Sequence, residues 1–124
     1  MISFIQCVKS RSELSIPEFR EHWRAYAAEA AALATATGAV GLVVNTTLAV
    51  EQNLEVRLSR GTAEPYDGVL KISWPNAAGL DERLGDPKIA AALEAFRKHQ
   101  ELFIDLDRSR FFFAAEENLL GGEA

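Results

Sequence analysis

One cysteine and two histidines are the only thiol and imidazole groups in this 124-residue chain, and the shortage excludes a good deal of chemistry. Cys7 has no internal disulfide partner. In the run Ile5-Gln6-Cys7-Val8 it reads as a small buried hydrophobe of a protein in a reducing cytoplasm. A resident metal needs three or more protein ligands as a rule. The two histidines show no H-x-x-x-H spacing and C-x-x-C is missing, so no metal site is expected. There is no glycine-rich phosphate loop: Gly38-Ala39-Val40-Gly41 leads into strand-like sequence, so neither a nucleotide nor any other cofactor is expected. No serine occupies a G-x-S-x-G elbow. Positive charge is outnumbered, 13 Lys+Arg against 18 Asp+Glu, for a net charge of −5. That balance argues against nucleic acid or an anionic membrane as partner. Long apolar runs are missing too. Ala27 to Ala36 is interrupted by Glu29 and Thr35 and falls far short of the ~20 residues of a span. The apolar start, Met1 to Val8, is short and precedes Lys9 and Arg11, the wrong order for export. A cytoplasmic protein is expected.

What the chain does have is 48% hydrophobic residues, enough for one domain and too few for two. The expected domain covers residues 1–118, with 119–124 as a flexible tail. Strand composition marks 2–9. A helix over about 16–35 then opens with Ser15 as cap, Glu18 completing the capping box and Pro17 in the first turn. Its stripe is Ile16, Phe19, Trp23, Tyr26/Ala27, Ala30 and Leu33, and Gly38 stops it. A β-branched segment at 39–49 reads as the second strand. Residues 51–66 read as a long polar loop, or a weak strand near 56–58, with the length of a lid. Val69 to Trp74 is a third strand, and Asn76 caps a short helix through Leu84. Asp86-Pro87 opens a helix over 87–103, and Ser109 to Ala115 is a fourth strand.

The order β-α-β, β-α-β predicts an α+β, ferredoxin-like βαββαβ fold: a four-stranded antiparallel sheet with its helices on one face. The bare face must carry apolar groups, because the fourth strand places Phe111, Phe112 and Phe113 in succession. Leaving that face wet costs roughly 25 cal/mol per Å². Face-to-face packing in a homodimer is the simplest remedy.

At Leu14-Ser15-x-Pro17-Glu18-Phe19-Arg20-x-x-Trp23, Pro65-Tyr66-Asp67-Gly68-Val69 and Phe103-Ile104-Asp105 the chain resembles the EthD-like family of dimeric α/β-barrel proteins. The resemblance implies this fold and dimer. Among relatives of the fold it implies cofactor-free monooxygenases, polyketide cyclases, isomerases and dehydratases. The family usually has a histidine four residues beyond the tryptophan, where this chain has Ala27, so that residue's chemistry does not carry over. His22 stands where the family more often has tyrosine, about 140° around the helix from position 27.

His22 borders the apolar stripe between Phe19 and Tyr26, and His99 lines up with Ala92, Phe96 and Phe103. Imidazole is the side chain suited to proton transfer near neutral pH. With both helices on one side of the sheet, His22 and His99 are candidate catalytic residues facing one cavity. Trp23, Tyr26, Asn45, Tyr66, Trp74, Phe96 and Phe103 are candidate contacts to a small apolar or aromatic molecule. Asp67 and Asp105 read as structural. The expected function is cofactor-independent acid–base chemistry on an aromatic or polyketide-like carbonyl compound: isomerisation, cyclisation or dehydration. The alternatives are a cofactor-free monooxygenase, which needs the same pocket, and a small-molecule-binding accessory protein without turnover.

Overall fold

The computed structural model describes residues 1–120. β1 (Ile2–Val8) leads to α1 (Ile16–Ala36), β2 (Gly41–Thr46) and α2 (Glu51–Arg60). Then follow β3 (Gly68–Trp74), α3 (Ala78–Leu84), α4 (Pro87–Phe103), a 3-10 turn (Leu106–Arg108) and β4 (Arg110–Ala115). The strands form one antiparallel sheet in the order β2-β3-β1-β4. This is the expected ferredoxin-like α+β arrangement.

The helix starts follow from their caps. The Ser15 side chain accepts from the Glu18 N–H at 3.2 Å, and Glu18 accepts in return from the Ser15 N–H at 2.9 Å. Those hydrogen bonds hold the Glu18 carboxyl below the usual carboxylate range. Asp86 accepts from the Lys88 N–H at 2.8 Å, with Pro87 in the first turn of α4. Asp67 is structural here: its carboxylate accepts from the Ser10 N–H at 2.7 Å, beside Lys9. The Asp105 N–H donates to the Lys9 carbonyl at 2.9 Å, joining the end of α4 to the end of β1.

Strand alternation divides the sheet. Gln6, Val8, Leu70, Ile72 and Trp74 lie under the helices, where Phe19, Trp23, Tyr26, Phe96 and Phe103 complete the core. The opposite face carries Ile5, Cys7, Val43, Val69 and Phe112, uncovered by any element; Phe112 is 45% exposed. The bare face carries apolar groups as expected, Phe112 among them, while Phe111 and Phe113 share the helix side with Phe4. One reading changes here. Cys7 is half-buried on that bare face instead of in the core, because odd positions of β1 point away from the helices.

The segment after β2 is a correction: Glu51–Arg60 is a helix, neither loop nor strand. It buries no residue, so it has no apolar stripe turned to a core for sequence periodicity to report. Its end signals are nonetheless present in Arg57, Arg60 and left-handed Gly61 (φ +64°). Of the expected tail, Leu119 and Leu120 are exposed, and residues 121–124 lie outside the described residues. No helix among the described residues is long and apolar enough to cross a membrane.

Gly68 positions α1 by close approach. A Cβ there would stand 2.6 Å from two atoms of the Trp23 indole. Gly68→Ala must therefore push the indole out of a closed core, at about 1–3 kcal/mol. The expected outcome is a lower urea midpoint with an unchanged slope and an altered tryptophan emission.

Candidate functional site

Three residues of α1, His22, Tyr26 and Glu29, fall on one stripe, four and three residues apart. They meet a matching stripe on α4, made by Phe96, His99, Gln100 and Phe103. Where the stripes face each other, His22 Nδ1 lies 3.1 Å from His99 Nε2, and His99 Nδ1 lies 2.9 Å from Glu29 Oε1. Of His22, His99 and Glu29, only the carboxylate is a pure acceptor, so Glu29 sets the order of protons. His99 donates its Nδ1–H to the carboxylate. With both rings neutral, this order has the Nε2 lone pair of His99 accept the Nδ1–H of His22, which leaves the lone pair of His22 on Nε2. Chemically, such an order can orient His22 as a base through a second imidazole and a carboxylate. His22 also stacks on Phe103, with ring centroids 5.3 Å apart and planes 5° apart, which fixes the ring's plane.

Beneath this chain lies a second polar group. The Tyr26 hydroxyl donates to Gln6 Oε1 at 2.5 Å and accepts from Gln100 Nε2 at 2.8 Å. Tyr26 is fully buried and stacked on Phe96 at 4.1 Å. Burial pushes its hydroxyl far above the usual tyrosine range, so it stays a proton donor. With Trp23, Phe96 and Phe103 also buried, these aromatics fill the space between helices and sheet. They are core at this point, not the wall of an open cavity. Clefts open elsewhere. One of about 440 Å³ lies at the start of α1, among Lys9, Phe19, Arg20, Leu54 and Arg57. Another of about 240 Å³ lies between α1 and β2. Neither includes a histidine.

The structure thus gathers His22, His99, Trp23, Tyr26, Phe96 and Phe103 and leaves the other three expected residues apart. Asn45 is exposed on an edge strand, facing away from the helices opposite Val69. Trp74 is buried near the far end of α1, its Nε1–H donating to Thr37 Oγ1 at 3.1 Å. Tyr66 sits in the loop before β3, its carbonyl accepting from Thr47 Oγ1 at 2.5 Å. Ala27 lines the cleft against Val44, whereas His22 faces α4, so His22 does not stand in for a side chain at position 27. Sequence reasoning passed over Glu29, Gln6 and Gln100. The signals were Glu29 at seven residues from His22 on the same helix face, and an amide within an apolar strand at Gln6.

Residues 11–107 match the EthD domain model. The chain belongs to the EthD family. Solved structures agree on the fold. A dimeric protein of unknown function with a ferredoxin-like fold from Bacteroides fragilis superposes with a TM-score of 0.59 at 12% identity, over 91% of this chain and 93% of that one. SnoaB (N63A mutant), a cofactor-independent oxygenase from Streptomyces nogalater, gives 0.56 at 13% identity over 98% and 97%. HapK from Hahella chejuensis gives 0.55 at 15% identity over 100% and 98%. No curated protein matches the sequence.

In this EthD domain, Tyr26→Phe deletes the hydroxyl that serves Gln6 and Gln100. The expected loss is about 1–3 kcal/mol at neutral pH, the cost of buried groups left unpaired. The folded hydroxyl titrates above its unfolded value of about 10, so its contribution is complete below that pH and declines as pH rises beyond it. The stability gap between wild type and Tyr26→Phe, measured by urea unfolding, is therefore expected to narrow above about pH 10.

Proposed function

We propose that this EthD-domain protein is a cofactor-independent enzyme that moves protons on a small apolar, aromatic or polyketide-like carbonyl compound. The Glu29–His99–His22 chain is the observation that supports this reading. His22 Nε2 takes a proton from the carbon next to the carbonyl, leaving an enolate. Charge arising on His22 is shared toward His99 and, beyond it, the Glu29 carboxylate. Returning the proton to another carbon completes an isomerisation; giving it to a departing hydroxyl completes a dehydration. In this reading the reacting end of the substrate meets His22 on the outer side of the α1–α4 seam, where the imidazole stacks on Phe103.

The working unit in this proposal is a homodimer joined through the bare sheet face around Ile5, Val43, Val69 and Phe112. A dimeric protein among the superposable structures supports it. Phe112→Asp, which places a charge on that face, is expected to shift the sedimentation coefficient from dimer to monomer. An unchanged value removes this face as the interface.

Two further readings each have a specific observation. SnoaB, of the same fold, is a cofactor-independent oxygenase, which favours a variant in which the substrate carbanion formed by the same base passes an electron to O₂. Ala27, in the place where the family usually has a histidine, favours a binder without turnover. The experiment follows deuterium uptake from D₂O and O₂ consumption across a panel of enolisable ketones and anthrone-type phenols. His22→Ala is expected to lose at least about 100-fold in exchange rate, the scale of a positioned general base. Glu29→Gln, which keeps a hydrogen-bonding side chain, is expected to lose less. Full exchange in both His22→Ala and His99→Ala would overturn the assignment. Saturable binding with no exchange, product or O₂ uptake would establish the binder.

A further inference from the structure

α2 buries no residue, yet one side of it is turned to the protein. Asn53, Leu54 and Arg57 fall within about 100° of the helix circumference and line the 440 Å³ cleft whose opposite wall is the start of α1. Phe19, 4% exposed, forms the floor, and Ile16, Leu48 and Leu54 form the apolar walls. Those three are 59%, 64% and 51% exposed, so large apolar side chains surround space that nothing among the described residues fills. The volume falls in the range of small-molecule sites, about 300–1,000 Å³. The inner side of α2 therefore serves a cleft and not the core.

Charge selects the occupant. The lining holds Lys9, Arg11, Arg20, Arg57 and Arg108 against two carboxylates, Glu64 and Asp67, in a chain whose net charge is −5. Both carboxylates are spent within the fold. Glu64 lies 3.8 Å from Lys9 and 3.4 Å from Arg57, and Asp67 serves Lys9 at 3.7 Å and the Ser10 N–H. Arg11 has Glu13. Arg20 differs from these: it is half-buried, and no carboxylate stands within ion-pair reach among the described residues. Its one hydrogen bond goes to the carbonyl of Thr47, another residue of the lining, at 3.2 Å. Thr47 is fixed in turn, its N–H donating to the Asp67 carbonyl at 3.1 Å and its hydroxyl to the Tyr66 carbonyl. The guanidinium is thereby held at the cleft with N–H groups to spare. A cation partly removed from water gains from a counter-ion, and the guanidinium fork matches a planar carboxylate.

We propose that the α1–α2 cleft binds a small monocarboxylate with an apolar body. The carboxylate sits on the Arg20 guanidinium, and the body lies on Phe19 between Ile16 and Leu54. The cleft contains no histidine, and His22 faces α4, so this site stands or falls independently of the acid–base reading.

The test is a titration of methyl-labelled protein with sodium 3-phenylpropionate, following the methyl resonances of Ile16, Leu54 and Ile72. Ile16 and Leu54 are expected to move saturably with one Kd of about 1 mM or below, while Ile72, buried in the core, stays in place. 3-Phenylpropan-1-ol keeps the apolar body and loses the charge, and is expected to bind about tenfold more weakly. Arg20→Gln is expected to weaken the acid by a similar factor and to leave the affinity for the alcohol unchanged, which separates a lost ion pair from a disturbed cleft. Leu54→Glu changes a helix that buries nothing, so the fold is kept, and it is expected to abolish binding with the Ile72 resonance unmoved. The proposal is overturned if Ile16 and Leu54 do not respond up to about 20 mM acid, well above the Kd that a fragment of this size should reach. It is equally overturned if acid and alcohol bind alike, if Arg20→Gln keeps the preference for the acid, or if Leu54→Glu binds as wild type does.

Discussion

The Tyr26 hydroxyl ties the sheet to both long helices through one atom. It belongs to α1, gives its proton to Gln6 of β1 and takes a hydrogen bond from Gln100 of α4. Each of these groups is polar and removed from water, so each is costly unless its partner stays in place. A rotation of α4 by one residue would break the contact from Gln100. It would also move His99, the adjacent residue, off the stripe that faces His22. The His22–His99 contact is therefore set from below: the aromatic core places the tyrosine, the tyrosine fixes α4, and α4 carries the imidazole to its partner.

α1 consequently has two differently equipped flanks. Toward α4 it presents His22, Tyr26 and Glu29, a polar stripe joined to α4 and β1 by hydrogen bonds. Toward β2 it presents Arg20, Trp23 and Ala27, where the Trp23 N–H is buried without an acceptor among the described residues and space is left unfilled. The helix can do both because its buried face, through Trp23, Ala30 and Leu33, supplies the packing that neither flank provides. Gly68 makes that packing possible by letting the indole lie on the sheet.

Most of the fold is written in local signals. Ser15 with Glu18, and Asp86 with Pro87, mark helix starts that the structure reproduces with the expected hydrogen bonds. The helix Glu51–Arg60 escaped because it packs nothing into the core, and a pattern argument sees only faces that bury something. The site was partly legible for the same reason. His22, His99 and the aromatics lie on helical stripes that meet, so spacing brings them together. Glu29 and Gln100 owe their roles to the meeting of α1 with α4, a tertiary fact that no single stripe reveals. Asn45 shows the converse: a polar residue in an apolar strand needs a buried partner only if the strand is covered, and β2 is an edge.

The most direct measurement is the tautomeric state of the two histidines, read from long-range ¹H–¹⁵N couplings of the imidazole nitrogens in neutral rings. Glu29 at the end of the chain requires the proton of His99 on Nδ1, the proton of His22 on Nδ1 and the lone pair of His22 on Nε2, with Glu29→Gln loosening that preference. A proton on Nε2 of His22, or tautomers indifferent to Glu29→Gln, would show that no oriented chain exists and that His22 is not held as a base.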